Sequence, residues 1–228
     1  MLKIENVTKS FRKIKANNNI TLEAKRGEIA LLLGLNGEGK STLIKCICGL
    51  YRFSGKITVG GFDCRSTDAK KLIGYVPETP ALYDYLTVNE HLDFICRAYR
   101  CTNPDLKNEL LEKFELADKK DKLAKELSKG MQQKLSVCCA LMHDPELIIF
   151  DEPMVGLDPY AIKTLKGVFL ELKQRGKTVI ISTHILDSVE SYWDKVYILS
   201  GGELKAQMNA EDASQSLEEL LFSITEVE

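Results

Sequence analysis

Residues 34–42, with the sequence GLNGEGKST, fit the phosphate-binding loop pattern at every position. A strand is predicted before them and a helix from near Lys40, which is the context that the pattern requires. Glycines let the backbone wrap around phosphates and present successive N–H groups, and the helix N-terminus adds its positive dipole end. We expect Lys40 to reach the terminal phosphates and the Ser41 hydroxyl to hold Mg²⁺. The candidate ligand-binding residues of this loop are Gly34, Asn36, Gly37, Glu38, Gly39, Lys40, Ser41 and Thr42.

Two adjacent carboxylates follow a second apolar run. Residues 147–150 are all apolar and lead directly into Asp151 and Glu152. Ligands of α/β sheets bind at the carboxyl ends of the strands, so this strand delivers both carboxylates to the binding edge. Because side chains alternate along a strand, Asp151 can hold Mg²⁺ while Glu152 polarises a water for attack on a γ-phosphate. Alone, the pair would usually be a solvated strand end; beside a phosphate-binding loop it indicates a nucleoside triphosphatase.

The elements around these residues predict an α/β fold with a mostly parallel sheet, the core of a P-loop NTPase. The first thirty or so residues alternate apolar and polar side chains, which predicts an N-terminal antiparallel β layer. The strand–loop–helix unit at the phosphate-binding loop is the kind that builds a parallel sheet. Further short strands are predicted at 73–76, 147–150, 178–181 and 195–199.

Residues 86–142 give a helical signal between two predicted strands. Thr87 and Glu90 make a capping box at the start of this block, which we interpret as an inserted helical subdomain. A chain of 228 residues suits one α/β domain over 1–228 carrying this subdomain better than two independent domains. A short acidic tail is expected over about 205–228.

The composition restricts the classes of partner. With 31 basic and 33 acidic residues the formal net charge is −2, so we expect no nucleic-acid partner. The apolar runs fall far short of the roughly 20 residues that cross a bilayer, and no signal-peptide pattern opens the chain, so a cytoplasmic location is expected. The seven cysteines are distributed as reduced thiols usually are. Cys46 and Cys48 have no second pair at a zinc-like spacing, which favours a packing role over a metal site.

Residues 127–133, with the sequence LSKGMQQ, resemble the signature of the ABC (ATP-binding cassette) family and stand shortly before the strand with the two carboxylates, as in that family. Ser128 and Gly130 are retained, where a hydroxyl and a bare backbone at a helix start can contact phosphate. Lys129 and Met131 depart from the commonest form. This variant is similar to exporter ATPases of the bacitracin-efflux and peptide-antibiotic self-protection type. Read without the family, Ser128 is a helix cap.

Further family elements occur in order along nearly the whole chain. The resemblance implies that Phe11 stacks on adenine, that Asp158 belongs to the D-loop, and that His184 senses the γ-phosphate. It also implies that Glu78, at the usual glutamine position of the Q-loop, reaches Mg²⁺ or the attacking water. A glutamate keeps the oxygen ligand but loses the amide donor, which favours contact with the metal. A lone aromatic or histidine is more often structural, and only the order of these elements gives them weight.

The resemblance implies an ATP-binding and ATP-hydrolysing subunit, with ATP and Mg²⁺ as ligands, that powers an exporter. Its partners would be a separate membrane-spanning subunit, on whose inner face it is peripheral, and a second copy of itself or a closely related ATPase subunit. Head-to-tail pairing would hold ATP between one phosphate-binding loop and the other signature.

Two other functions fit the sequence less well. A soluble ABC ATPase of translation or DNA repair is disfavoured because such members usually carry two cassettes or long coiled-coil insertions, which 228 residues do not accommodate. A kinase or GTPase would explain neither the signature nor His184.

The loop 79–86 is unusually apolar for a connection that faces solvent, and it contains Tyr83 and Tyr85. We interpret this loop as the wall of a groove that receives a cytoplasmic helix of the membrane subunit.

Overall fold

The structure, a computed structural model, describes residues 1–101, 103, 105–184, 192–212 and 217. The strands in chain order are β1 (Leu2–Phe11), β2 (Ile14–Ala24), β3 (Ile29–Leu33), β4 (Ser54–Val59), β5 (Phe62–Asp63), β6 (Ile73–Val76), β7 (Leu147–Asp151), β8 (Thr178–Thr183), β9 (Lys195–Ser200) and β10 (Glu203–Asn209). The helices are α1 (Lys40–Ile47), α2 (Thr67–Lys71), α3 (Val88–Tyr99), α4 (Leu106–Lys113), α5 (Lys129–Leu141) and α6 (Pro159–Gln174). None of the helices described is both long and apolar enough to cross a lipid bilayer.

A six-stranded sheet forms the centre of the fold, in the order β10-β9-β3-β8-β7-β6. All neighbouring strands are parallel except β10, which is antiparallel to β9, so the predicted mostly parallel sheet is confirmed. The register pairs Leu33 with Thr183 and Asp151 with Ser182. The carboxyl ends of β3, β8 and β7 therefore meet at one edge of the sheet.

The apolar runs of the central strands are continuous because both faces of the sheet are covered. Ile29, Leu31 and Leu33 of β3 belong to an apolar cluster on one face, which contains residues of α5 and α6. Ala30 and Leu32 belong to a second cluster on the opposite face, which contains residues of α1 and of the antiparallel sheet. Cys46 and Cys48 are buried in this second cluster, as expected of small apolar side chains.

The predicted N-terminal β layer is a four-stranded antiparallel sheet in the order β2-β1-β4-β5. In β1, Leu2 and Ile4 are buried while Lys3 and Glu5 are exposed, which is the alternation expected of a sheet with one solvated face. This sheet packs on α1 and thereby brings the start of β2 against the phosphate-binding loop.

Helices α3, α4 and α5 lie between β6 and β7, where the sequence predicts a helical block. The capping box is present: the Thr87 hydroxyl accepts from Glu90 N at 3.1 Å, and the Glu90 carboxylate accepts from Thr87 N at 2.8 Å. That residues 1–228 form one domain with this block as a subdomain stays a prediction.

Two elements differ from the sequence-based expectation. The segment assigned to the acidic tail begins with a strand, because β10 pairs Leu204 with Leu199 and Asn209 with Lys195. The period-two pattern of Leu204, Ala206 and Met208 indicates this strand, but the polar residues between them conceal it. Helix α6 was not predicted, although Asp158 caps it and Pro159 opens it. Most of the expected tail after residue 212 lies outside the described residues.

Candidate functional site

The phosphate-binding loop joins β3 to α1 and depends on glycine at its tightest point. Gly39 has φ 91°, and a Cβ at this position would lie 2.2 Å from Ala16 O, so a larger residue does not fit. Helix α1 follows directly, and among the described residues no side chain caps its first turn. The free N–H groups of that turn and the positive end of the helix dipole are suited to an anion.

Lys40 is held at the inner side of this loop. Its ammonium donates to Gly34 O at 2.7 Å and to Leu35 O at 3.1 Å, and it lies 3.4 Å from Glu152 Oε1. The side chain is 5% exposed, so its charge is compensated by these oxygens and not by bulk water. The loop therefore holds the buried Lys40 ammonium beside the backbone N–H groups at the start of α1.

Asp151 accepts two hydroxyl hydrogen bonds at the end of β7. Ser41 Oγ lies 3.0 Å and Ser182 Oγ 2.6 Å from Asp151 Oδ1, and the carboxylate is almost fully buried. This contact links the first turn of α1 with the ends of β7 and β8. Hydroxyl and carboxylate oxygens are the ligands that Mg²⁺ prefers, so Ser41 and Asp151 fit that ion chemically.

Glu152 has a backbone conformation that few non-glycine residues adopt. Its φ is 48°, and its N–H donates to both the carbonyl and the hydroxyl of Ser182, each at 3.1 Å. Such left-handed residues occur often at functional sites, where the surrounding hydrogen bonds hold them in place. Ser182 thus fixes the direction in which Glu152 leaves the strand.

Both carboxylate oxygens of Glu152 are buried without a hydrogen-bond donor among the described residues. His184 Nδ1 lies 3.0 Å from Oε1, but the two atoms do not form a hydrogen bond in this geometry. A buried carboxylate oxygen without a donor is costly, so a water or ligand donor is expected beside it. This arrangement suits a carboxylate that accepts a proton from an attacking water.

A cavity of about 740 Å³ joins these groups. Its lining contains most of the phosphate-binding loop together with Glu78, Glu152 and His184. The volume lies in the range of small-molecule sites. In the part of the chain that the structure describes, no three Asp, Glu, His or Cys side chains cluster around a possible metal position. A Mg²⁺ ion in this cavity would therefore need oxygen ligands from phosphate and water besides Ser41, Asp151 and Glu78.

Seven predicted site residues do not line this cavity in the described structure: Phe11, Gly34, Glu38, Ser128, Gly130, Asp151 and Asp158. The Ser128 hydroxyl caps α5 by accepting from Met131 N at 3.3 Å. Asp158 caps α6 by accepting from Ala161 N at 2.9 Å, and this hydrogen bond lowers the pKa of Asp158. Both side chains have a structural role within one copy of the chain, and their contact with a nucleotide stays a prediction.

The Phe11 ring lies at the end of β1 and is partly exposed. It makes an edge-to-face contact with Tyr51, with the ring centroids 5.4 Å apart, and the Lys9 ammonium lies 4.5 Å from its centroid. An exposed, electron-rich ring with a fixed orientation is suited to stacking on a base, which is the role that the sequence predicts.

Three contacts around the loop were not anticipated. Asn17 is fully buried and its amide donates to Gly39 O at 3.1 Å. The Glu38 carboxylate accepts from Gly201 N in the turn between β9 and β10. Ser182, already described, binds both Asp151 and Glu152. The partners in these contacts are far apart in the sequence, so the sequence does not predict the contacts. Only Ser182 could have been selected as a candidate, because it lies two residues before His184.

A second concave surface, a groove of about 590 Å³, lies between the end of α1, β6, α3 and α5. Tyr83, Phe94 and Tyr99 are among its lining residues, and the Tyr83 and Phe94 rings meet with their centroids 5.6 Å apart. Tyr85, predicted in the same wall, does not line this groove; it lies under the ammonium of Lys125, 4.3 Å from the ring centroid. Two backbone hydrogen bonds, from Ala124 N to Leu86 O at 3.0 Å and from Lys125 N to Asp84 O at 3.4 Å, join this part of the loop to residues 124–125.

Comparison with known proteins gives consistent similarities. A family model described as ABC transporter matches residues 17–155. The linearmycin resistance ATP-binding protein LnrL of Bacillus subtilis (strain 168) is 40% identical over 213 residues, which are 90% of this chain and 68% of that protein. A solved structure of an ATP-binding subunit of an ABC transporter superposes with a TM-score of 0.93 and 35% identity, covering 99% of both chains. A dimeric ATP-binding cassette in a post-hydrolysis state, bound to ADP and Pi, superposes with a TM-score of 0.84 and 26% identity, covering 92% of this chain and 98% of that one.

Proposed function

The chain belongs to the ABC transporter family as an ATP-binding ATPase subunit, and we propose that it hydrolyses Mg-ATP in the cavity around Lys40 to power an exporter. The observation that supports this site is the meeting of three parallel strand ends. They bring Lys40, Asp151 and Glu152 together with Ser182 and His184 around one opening.

Each residue has a distinct part in the proposed reaction. The backbone N–H groups of the loop and the Lys40 ammonium bind the terminal phosphates. Ser41 and Asp151, with Glu78 nearby, would hold Mg²⁺, which supplies charge neutralisation between the phosphates. Glu152 orients a water and accepts its proton, and His184, whose Nδ1 lies 3.0 Å from Glu152 Oε1, contacts the γ-phosphate.

We extend the proposal to a head-to-tail homodimer, because one copy lacks a complete site. Ser128 and Gly130 begin α5 outside the cavity lining, so their phosphate contacts need a second copy. Leu35, Val155 and Tyr160 are large apolar residues left exposed close to the site. A second copy would cover them, which favours pairing through this face. A closely related ATPase subunit could take the place of the second copy.

The membrane-spanning partner is proposed to dock in the groove around Tyr83, and the chain to be peripheral on the inner face of the cell membrane. The groove is mostly apolar and lies beside the loop that leaves β6 and contains Glu78. A helix seated there would contact the segment that carries Glu78 into the nucleotide cavity. The similarity to a linearmycin resistance ATP-binding protein supports export over import.

Copurification and an ATPase assay on the same material test this function. A tagged chain is recovered from native membranes in mild detergent, and phosphate release from Mg-ATP is measured. We expect a membrane-spanning polypeptide in stoichiometric amount and ATP hydrolysis by the complex. Recovery with ribosomes or DNA, and no membrane polypeptide, would instead favour a soluble ABC ATPase.

A further inference from the structure

The cysteines of this chain are free thiols of two kinds. Four are buried: Cys46, Cys48, Cys64 and Cys138. Three are partly exposed: Cys96, Cys101 and Cys139. Cys139 lies on α5, whereas Cys96 and Cys101 lie together at the C-terminal end of α3. In the part of the chain that the structure describes, none of them lines the nucleotide cavity.

The end of α3 brings the two residues of this pair together. Arg100 has φ 57° and ψ 51°, in the left-handed region, and Cys101 N donates to Cys96 O at 2.9 Å. This is the six-to-one hydrogen bond of a Schellman motif, in which the side chains at the two bonded positions commonly contact each other. Both cysteines also pack against the same apolar cluster.

The thiols themselves interact. The pKa of the Cys101 thiol is raised to about 11. Burial is the largest cause of this increase, and a hydrogen bond with the Cys96 side chain is the second largest. Cys101 Sγ also donates to Met142 O at 3.3 Å. At neutral pH the Cys101 thiol is therefore protonated and its hydrogen is engaged by Met142 O, so we assign the attack on the oxidant to the Cys96 sulfur.

We propose that Cys96 and Cys101 form an intramolecular disulfide when the protein meets a peroxide. A backbone hydrogen bond between two residues keeps their Cα atoms near the range of about 4.4–6.8 Å that a disulfide spans. The bond can therefore form without rearrangement of α3. Cys46, Cys64 and Cys138 are buried, whereas Cys48 and Cys139 both line the groove described above, so Cys48–Cys139 is the alternative pair that peptide mapping must exclude.

The chemistry balances with the peroxide as the oxidant. The Cys96 thiolate attacks the O–O bond, which breaks to give a sulfenic acid and hydroxide, and the hydroxide takes up a proton to become water. The Cys101 sulfur then attacks the Cys96 sulfur, so that the S–S bond forms, the S–O bond breaks and a second water leaves with the thiol proton. The two thiols are oxidised by two electrons and the peroxide is reduced.

Oxidation would alter the contact between the ends of α3 and α5. The disulfide removes the thiol hydrogen that Cys101 donates to Met142 O. Between the two cysteines, Tyr99 stacks on His143, with the ring centroids 3.9 Å apart. Both rings line the groove described above, so the disulfide lies directly beside that surface.

Thiol counting on the full chain tests the proposal. The purified protein is treated with hydrogen peroxide, denatured and alkylated, and its intact mass is measured. We expect two fewer alkylated thiols than in the untreated protein, with full recovery after dithiothreitol. Trypsin cleaves after Arg97 and Arg100, so the expected linkage appears as two peptides joined through Cys96 and Cys101.

Single variants provide the controls. Cys96→Ser and Cys101→Ser should each prevent formation of an intramolecular disulfide, whereas Cys139→Ser should still lose two thiols. The proposal is overturned if the wild type keeps all its thiols, if the bond joins two chains, or if another pair of cysteines is linked. Peptide mapping of the wild type decides this even if a variant folds poorly.

Discussion

The Lys40 ammonium lies 3.4 Å from Glu152 Oε1, and the two side chains are only 5% and 7% exposed. A buried cation and a buried anion compensate each other in this position, and the removal of either leaves the other uncompensated. A γ-phosphate near Lys40 would compete with Glu152 for the same cation. Occupation of the cavity would therefore release the carboxylate to act on water.

The first prediction is that Lys40→Ala weakens ATP binding by about 10- to 150-fold. The variant loses a charged donor, and hydrogen bonds to charged groups contribute about 1.5–3 kcal/mol. Isothermal titration calorimetry measures the affinity. Lys163→Ala, which removes an exposed lysine on α6, is the matched control and should bind ATP as the wild type does. Normal affinity in Lys40→Ala would sink the assignment of the loop.

The second prediction is that Glu152→Gln keeps ATP binding and loses turnover by at least about 100-fold. Loss of a general base commonly costs about 10²–10⁴ in rate. ATP should then accumulate with a dimer, visible by size-exclusion chromatography. Glu112→Gln, on the exposed side of α4, changes the charge equally and should hydrolyse ATP normally. Undiminished hydrolysis in Glu152→Gln would contradict the proposed role.

Ser182 yields a third prediction, since its hydroxyl binds both Asp151 Oδ1 and Glu152 N. Ser182→Ala leaves these buried groups with fewer partners, which should cost about 1–3 kcal/mol of unfolding free energy. It should also raise the Mg²⁺ concentration for half-maximal hydrolysis several-fold, because Asp151 is less well oriented. Urea unfolding and a Mg²⁺ titration measure the two effects.

A matched control for this serine is available on the surface. Ser54→Ala removes an exposed hydroxyl that makes one long hydrogen bond, 3.4 Å from Thr8 O. It should change neither the stability nor the Mg²⁺ dependence appreciably. An unchanged Mg²⁺ dependence in Ser182→Ala would show that its role is structural alone.

The sequence indicates candidate residues of this site where they are close along the chain. The phosphate-binding loop and the pair Asp151–Glu152 follow apolar strands directly, and the parallel register then brings these strand ends together. By contrast, Asn17, Glu38 and Ser182 act through partners that are far away in sequence. Spacing assigns no role to Asn17 or Ser182, and it assigns Glu38 to ligand binding, whereas the Glu38 carboxylate accepts from Gly201 N.

The errors in the fold have a similar cause. In β10, three partly buried apolar residues alternate with polar ones on an edge strand. This weak alternation is also compatible with a polar tail, which is what we expect there from the sequence. The composition of the loop predicts Tyr85 in the same wall as Tyr83, but only Tyr83 lines the groove described here. The side-chain direction depends on the turn before α3, which neither composition nor periodicity specifies.

A fourth prediction concerns the metal. In EDTA the protein should still bind ATP through the loop, but hydrolysis should stop, because the oxygen ligands at Ser41 and Asp151 are suited to a divalent ion. Glu78→Gln removes a charge from the cavity lining and should change the Mg²⁺ concentration for half-maximal hydrolysis without a loss of ATP affinity. An identical Mg²⁺ titration in wild type and Glu78→Gln would remove Glu78 from the proposed metal site.

The final prediction separates the two tyrosines of the loop before α3. Tyr83 is 59% exposed and lines the groove, while Tyr85 is 76% exposed and lies against Lys125 outside it. Tyrosines at the centre of an interface often contribute about 2 kcal/mol or more, so Tyr83→Ala should lower assembly with the membrane subunit by about 30-fold. The hydrogen bond that Tyr83 N donates to the His91 ring at Nε2, 2.9 Å long, does not depend on the tyrosine ring and should hold the loop in place.

Tyr85→Ala is the matched control, because it removes the same ring two residues away without changing the groove. The measurement is the amount of membrane-spanning polypeptide that copurifies with each tagged variant from detergent-solubilised membranes. ATP binding by each isolated variant should equal that of the wild type, since neither ring lines the nucleotide cavity. Equal recovery with Tyr83→Ala, or a larger loss with Tyr85→Ala, would mean that the partner docks elsewhere on the chain.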